Sequence, residues 1–171
     1  MVSCYTDPDV VHTVLEKSTQ FLTEYIKAYK TQTGAAGVGM AEPLTGLLSP
    51  QLAEEFSEPY VRRIAQAVQD ENFLVIYHNC GNNTIQQVNS ILRTGCAAYH
   101  FGNAIDMEEM MRQLKNGTPQ SVYDATYALM ERCTVYPNFL ISSGCDIPPL
   151  APWENIDSFF KAVHDFYAQS N

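Results

Sequence analysis

FLVIYHNCG, residues Phe73 to Gly81, runs five apolar or aromatic side chains into a histidine and a cysteine spaced by one residue. An apolar run of this length with no polar alternation reads as a strand covered on both faces, which is the pattern of a parallel sheet. Upstream, Ser49-Pro50 is the cap and first-turn signature of a helix running to about Asp70, and GAAGVGMAE (Gly34 to Glu42) before it reads as a short buried strand. Further back, Val10, Val11, Val14, Leu15, Phe21, Leu22, Tyr25 and Ile26 recur at three- and four-residue spacings, predicting an amphipathic helix from Thr6 to about Lys30 with a capping-box start on Thr6 and Asp9. Downstream, the expected order is a helix from Thr84 to Arg93, a strand from Ala97 to Phe101, and a helix opened by Asp106 with Glu109 three residues on. A long helix from Thr118-Pro119 to about Val135, a strand from Phe139 to Ser142 and a closing helix from Glu154 to Tyr167 complete it.

Helix and strand in alternation predict an α/β fold with a parallel sheet and right-handed crossovers. One joint departs from it. At Leu114 to Thr118, through Lys115-Asn-Gly117, one helix passes into the next with no strand between them. Four strands remain where a closed eight-unit barrel, typically about 250 residues, has eight.

The 171 residues are enough for one domain with a sizeable core, and a hydrophobic fraction of 46% with 17% charged residues is that of a globular protein rather than a disordered one. No run approaches the roughly 20 apolar residues of a membrane helix. The start, MVSCYTDPDVV, has neither a basic region nor an apolar signal core, so a cytoplasmic protein is expected. Five cysteines without framework spacing fit a reducing compartment, and a net charge of −9 disfavours nucleic acid as a partner.

Side chains alternate along a strand, so His78 and Cys80 point to one side and can share a metal ion. They stand at the C-terminal end of their strand, the edge on which parallel α/β folds build active sites. The FLIS segment ends likewise in Ser142-Ser-Gly-Cys-Asp146, which brings Cys145 to the corresponding edge. His78, Cys80 and Cys145 together match zinc in ligand softness and leave a fourth position for a substrate. Glu42, at the end of the first strand, is a displaceable fourth ligand, a hydrogen-bond acceptor for His78, or a loop acid in water. His100 ends the third strand and either approaches the metal or packs nearby. Ser143, between Ser142 and Gly144, offers a close approach to substrate or a plain turn, and Asp146 orients a ligand or caps a turn. Cys4, Cys96 and Cys133 read as buried and inert, and His12 and His164 as surface or half-buried helix residues.

IYHNCGNN followed by ISSGCDIPPLAPWENI, together with GAAGVGMAEPLTGLLSPQLAEEFSEPY, resembles the uroporphyrinogen decarboxylase superfamily, and within it the cobalamin-dependent branch that includes methylcobalamin:coenzyme M methyltransferases. The resemblance implies a TIM barrel of which residues 1–171 are the C-terminal portion as a single domain, with an internal deletion at the 114–118 junction. It implies zinc on His78, Cys80 and Cys145, which would also be the catalytic residues; Glu42, His100 and Ser143 are the candidate substrate contacts from their positions at the strand ends and loop. It further implies methylcobalamin on a corrinoid protein as methyl donor and a small thiol such as coenzyme M as acceptor. The decarboxylases themselves tend to carry GHG where this chain has Ser-Gly-Cys-Asp. Decarboxylation of a porphyrinogen is the alternative activity, and a non-catalytic remnant binding zinc or a corrinoid protein is the other. Open sheet edges in a half barrel call for cover by another chain, a homo-oligomer among the possibilities.

Overall fold

The computed structural model describes residues 1–81, 83–102, 118–143, 147 and 149–169, in two compact units, Met1–Ala104 and Ile105–Asn171. The helix from Asp106, the 114–117 part of the junction and the Gly144-Cys145-Asp146 triplet lie outside the described residues.

In the first unit, a short helix α1 (Ser3–Thr6) leads into α2 (Pro8–Thr33). The expected capping box is not formed: Pro8 takes the first helical position, so the N-cap falls on Asp7, one residue beyond Thr6, and makes no side-chain bond. Gly34, at φ 64°, ends α2 and turns the chain into β1 (Gly37–Ala41). A 3-10 turn, Pro43–Leu47, follows. The single helix expected over 49–70 is two, α3 (Pro50–Phe56) and α4 (Glu58–Val68), because Pro59 lacks the amide proton that would continue the ladder across Ser57. Ser49 caps α3 by accepting from the Leu52 amide at 3.3 Å. Next come β2 (Leu74–Asn79), a 3-10 turn at Thr84–Gln87, α5 (Val88–Arg93) and β3 (Ala98–Phe101).

The three strands form one parallel sheet in the order β1-β2-β3. Register pairs Val38 with Val75 and Met40 with Tyr77, and Tyr77 in turn with Tyr99, so these side chains share the face that packs on the helices. α4 supplies Val61, Ile64, Ala65 and Val68 at helical spacing to that core, with Ile26 from α2, Ile91 from α5 and Cys96. Phe73, Val75 and Tyr77 have no exposed surface. The other face carries Gly39, Ile76 and Ala98 in one row and Ala41, His78 and His100 in the next. There Leu74 and Ile76 remain 43% and 38% exposed, so β2 is buried on one face and not on both, as its apolar run suggests. α2 behaves similarly: Ile26 faces the core, whereas Val10, Val14, Phe21 and Tyr25 are exposed.

Gln69 joins the starts of two strands, its Oε1 accepting from the Val75 and Ala97 amides at 3.2 and 2.8 Å while its Nε2 donates to the Gly95 carbonyl. Buried Glu58 accepts from Ser90 and from both Arg62 and Arg93, tying α4 to α5. Of the three cysteines read as inert, Cys96 alone is fully in the core; Cys4 and Cys133 are half-buried.

The second unit contains α6 (Pro119–Cys133), opened by a capping box between Thr118 and Ser121, and α7 (Trp153–Gln169). They pack along Tyr123 and Tyr127, whose hydroxyls donate to Asp165 at 2.9 Å and Gln169 at 2.7 Å. The strand expected from Phe139 to Ser142 is not formed: a strand exists only through its pairing, and no described strand pairs with this segment, whose Leu140 is exposed. No described helix is long and apolar enough to cross a membrane.

Candidate metal and active site

The C-terminal ends of β1, β2 and β3 bring Ala41, His78 and His100 into one row. The two imidazoles on the sheet's open face lie with centroids 4.7 Å apart and planes tilted by 34°. His78 Nδ1 is 3.2 Å from the backbone carbonyl oxygen of His100. A carbonyl only accepts, so Nδ1 is the donor, and in the neutral tautomer this fixes, Nε2 carries the lone pair. This is the arrangement in which a histidine ligates a metal through one nitrogen while a backbone carbonyl holds the other. Burial, with His78 beside it, holds the His100 imidazole below its ordinary range, which keeps that ring neutral at neutral pH.

Cys80 is half-buried and sits one residue beyond β2, against the backbone of Gly102. A Cβ placed on Gly102 would fall 2.2 Å from the Cys80 Cβ, so only glycine lets the two strand ends approach this closely. Continuing the β2–β3 register by one residue sets Cys80 opposite Gly102, on the side of His78 and His100. Among the described residues no three His, Cys, Asp or Glu side chains gather as a metal site, and Cys145, the expected third ligand, lies outside them.

Glu42 is half-buried on the helix side of the strand ends. Its Oε2 accepts from Ser57 at 2.6 Å and from Thr45 and Tyr77 at 3.2 Å each, while the acceptor that meets His78 is the His100 carbonyl. Behind it runs a chain of polar contacts absent from the sequence reading. Tyr77 hydroxyl accepts from Asn79 Nδ2 at 3.3 Å, and Asn79 Oδ1 accepts from the Gly81 amide at 2.9 Å with the Thr84 hydroxyl also at 2.9 Å. Burial first, and then the Glu42 carboxylate, push the Tyr77 phenol well above its ordinary value. Gln87 donates to the carbonyls of Thr45 and Leu48, pinning the loop after β1 to the turn after β2. Asn79 carries the one readable signal of this lattice, since it falls in the same alternation as the buried Phe73, Val75 and Tyr77.

In the second unit, half-buried Ser143 and exposed Ser142 border a cavity of about 250 Å³ whose other walls include Ile141, Ile156, Phe159 and Phe160. The pocket is apolar and adjoins the segment that leads to Cys145.

The chain matches the family model described as uroporphyrinogen decarboxylase (URO-D) over residues 1–166. It is 26% identical over 181 residues to uroporphyrinogen decarboxylase of Coxiella burnetii, covering 95% of this chain and 49% of the relative. Identity is 24% over 173 residues to that of Prochlorococcus marinus (92% and 49% covered), and 27% over 175 residues to that of Anaeromyxobacter dehalogenans (95% and 50%). The chain thus spans about half the length of the curated relatives it matches.

Proposed function

We propose that this chain, which belongs to the uroporphyrinogen decarboxylase family, carries the metal end of a zinc-dependent enzyme that moves a methyl group from a methylated corrinoid protein to a small thiol. The observation that carries the reading is the bond from His78 Nδ1 to the His100 carbonyl, which leaves Nε2 as a lone-pair donor on the sheet face that the register gives to Cys80. An imidazole and a thiolate on one side of a strand end are two of the three donors an open zinc site uses; Cys145 is proposed as the third on the sequence pattern alone. Zinc, when bound there, supplies the Lewis acidity that keeps a thiol as its nucleophilic thiolate at neutral pH.

The chain's own residues then have separable tasks. His78 and Cys80 hold the ion from β2. Neutral His100 fixes the His78 ring through its main-chain carbonyl and walls the row. Glu42, engaged by three hydroxyl groups, supports the strand ends from the helix side.

A second reading, decarboxylation of a porphyrinogen, is favoured by the names of the curated relatives, which speak for it more than for methyl transfer. That reaction needs cations for the substrate carboxylates. In the first unit Lys27, Lys30, Arg62, Arg63 and Arg93 are each paired with an acid on the helices or the turn before β2, and no Lys or Arg lies on a described strand. The histidine and thiol at the strand ends fit the methyl-transfer reading, and the names of the relatives favour the second.

The test is metal analysis of the purified chain and of Cys80→Ala, alongside demethylation of methylcobalamin by a panel of thiols and decarboxylation of uroporphyrinogen. Stoichiometric zinc that Cys80→Ala loses, with thiol-dependent demethylation, is the expected result. Decarboxylation with no bound zinc would establish the second reading instead.

A further inference from the structure

β2 presents a problem at the site it serves. Ladder pairing ends at Asn79, opposite Phe101, so the residue whose thiol matters most, Cys80, lies past the last pair that would orient it. The structure assigns Asn79 as the positioning residue for Cys80: its buried carboxamide folds the chain around Cys80 and so presents the thiol on the His78 side of the sheet. This rests on the metal-site reading above and adds to it the device that sets the geometry.

Asn79 has no exposed surface and falls in the alternation of the buried Phe73, Val75 and Tyr77. A polar side chain placed there is costly unless its bonds are made, and they are made. Oδ1 accepts from the Gly81 amide at 2.9 Å, two residues on, which closes a turn with Cys80 at its centre. The Thr84 hydroxyl lies 2.9 Å from the same oxygen and 2.5 Å from the Gly81 carbonyl, so the far side of the turn is tied to its start. Nδ2 donates to Tyr77 hydroxyl, itself bound to Glu42, which fixes the amide plane and thereby the direction of Oδ1.

The surrounding backbone is built to the same end. The Gly102 amide donates to the Asn79 carbonyl at 3.0 Å and brings Gly102 against Cys80. Gly81 meets Gly46 so closely that a Cβ on Gly81 would lie 2.6 Å from the Gly46 Cα, wedging the turn against the loop after β1. Cys80 is thus held by its two neighbours in sequence and by one across the sheet, none of which would touch the metal.

The experiment compares Asn79→Ala with Asn79→Ser in the full chain, two small side chains that differ in a hydroxyl able to accept from the Gly81 amide. Cobalt(II) is the probe: its affinity and its thiolate-to-cobalt charge-transfer absorption report whether Cys80 reaches the ion. The alkylation rate of Cys80, resolved by peptide mass spectrometry against Cys133 in the same chain, reports the thiol without any metal. Asn79→Ala should weaken cobalt binding by about 10- to 100-fold, the usual effect of losing a residue that orients a ligand, with a fainter charge-transfer band and an altered Cys80 rate. Asn79→Ser should recover part of each. Equal behaviour of the wild type and both variants, all folded, overturns the assignment. Should Asn79→Ala fail to fold, Asn79→Ser against the wild type decides: a charge-transfer band and a Cys80 alkylation rate both unchanged there also overturn the assignment. If the wild type binds no cobalt, the metal reading falls while the difference in Cys80 alkylation between Asn79→Ala and Asn79→Ser still judges the positioning role.

Discussion

Replacing Tyr77 by Phe deletes one buried hydroxyl from the lattice behind the strand ends and changes nothing else in volume. Tyr77 has no exposed surface, and its oxygen accepts from Asn79 and donates to Glu42. Glu42 keeps Ser57 and Thr45, so the group left without its partner is Asn79 Nδ2. Orphaning a buried amide N–H costs about 1 to 3 kcal/mol, and that is the expected loss at neutral pH. The pH dependence is the sharper test. Burial and Glu42 raise the folded-state pKa of Tyr77 above its ordinary value of 10.0, so the stabilisation is fully present below pH 10 and is lost as pH rises above it. One unit above the unfolded value, at about pH 11, the wild type should have lost about 1.4 kcal/mol that the Tyr77→Phe variant cannot lose, shrinking the gap between the two proteins. The single tryptophan, Trp153, belongs to the second unit, so the assay is urea denaturation followed by alkylation of buried Cys96 in the core of the first. A gap that stays constant from pH 8 to pH 11 would refute the buried, protonated phenol.

Phe73→Ala should cost about 3 to 5 kcal/mol in the same assay, because the ring is fully buried in the core, whereas Phe21→Ser on exposed α2 should cost less than about 0.5 kcal/mol. Glu58→Ala should cost on the order of 2 kcal/mol by stranding the Ser90 and Arg93 donors, and Arg93, which is partly in water, should soften that loss; thermal melts of both proteins check it. Asp165, bound by Lys161 and then by Tyr123, titrates at about 2 instead of 3.8. Its contribution to the α6–α7 contact is therefore present above pH 3.8 and is lost as pH falls through 2, which a carboxyl-carbon NMR titration with its midpoint near 2 would verify.

The strand order along the chain was legible because its signals are local. An apolar run bounded by helix caps and prolines announces itself wherever it occurs: Gly34 to Glu42 and Ala97 to Phe101 contain β1 and β3, and Phe73 to His78 covers β2 up to its last residue, Asn79. Ser49-Pro50 and Thr118-Pro119 start helices as their residues dictate. The same local logic misleads at Phe139 to Ser142, since four residues with strand propensity become a strand only through a neighbour's hydrogen bonds.

The candidate site divides along the same line. Alternation is a property of the backbone, so the expectation that His78 and Cys80 share one side, and the donor chemistry of the two, could be read from sequence, whereas the setting of Cys80, one residue beyond β2, rests on tertiary contacts. Which of the alternating faces is buried could not, because burial is decided by what packs on each face: Tyr77 and Asn79 are buried while Leu74 and Ile76 stay exposed. Nor do residues so far apart in the chain reveal that His78 meets the His100 carbonyl, that Ser57 and Tyr77 converge on Glu42, or that Gly102 closes on Cys80. Those contacts depend on the parallel register of β1, β2 and β3, a long-range arrangement set by the packing of the helices on the sheet and not by any stretch of residues on its own.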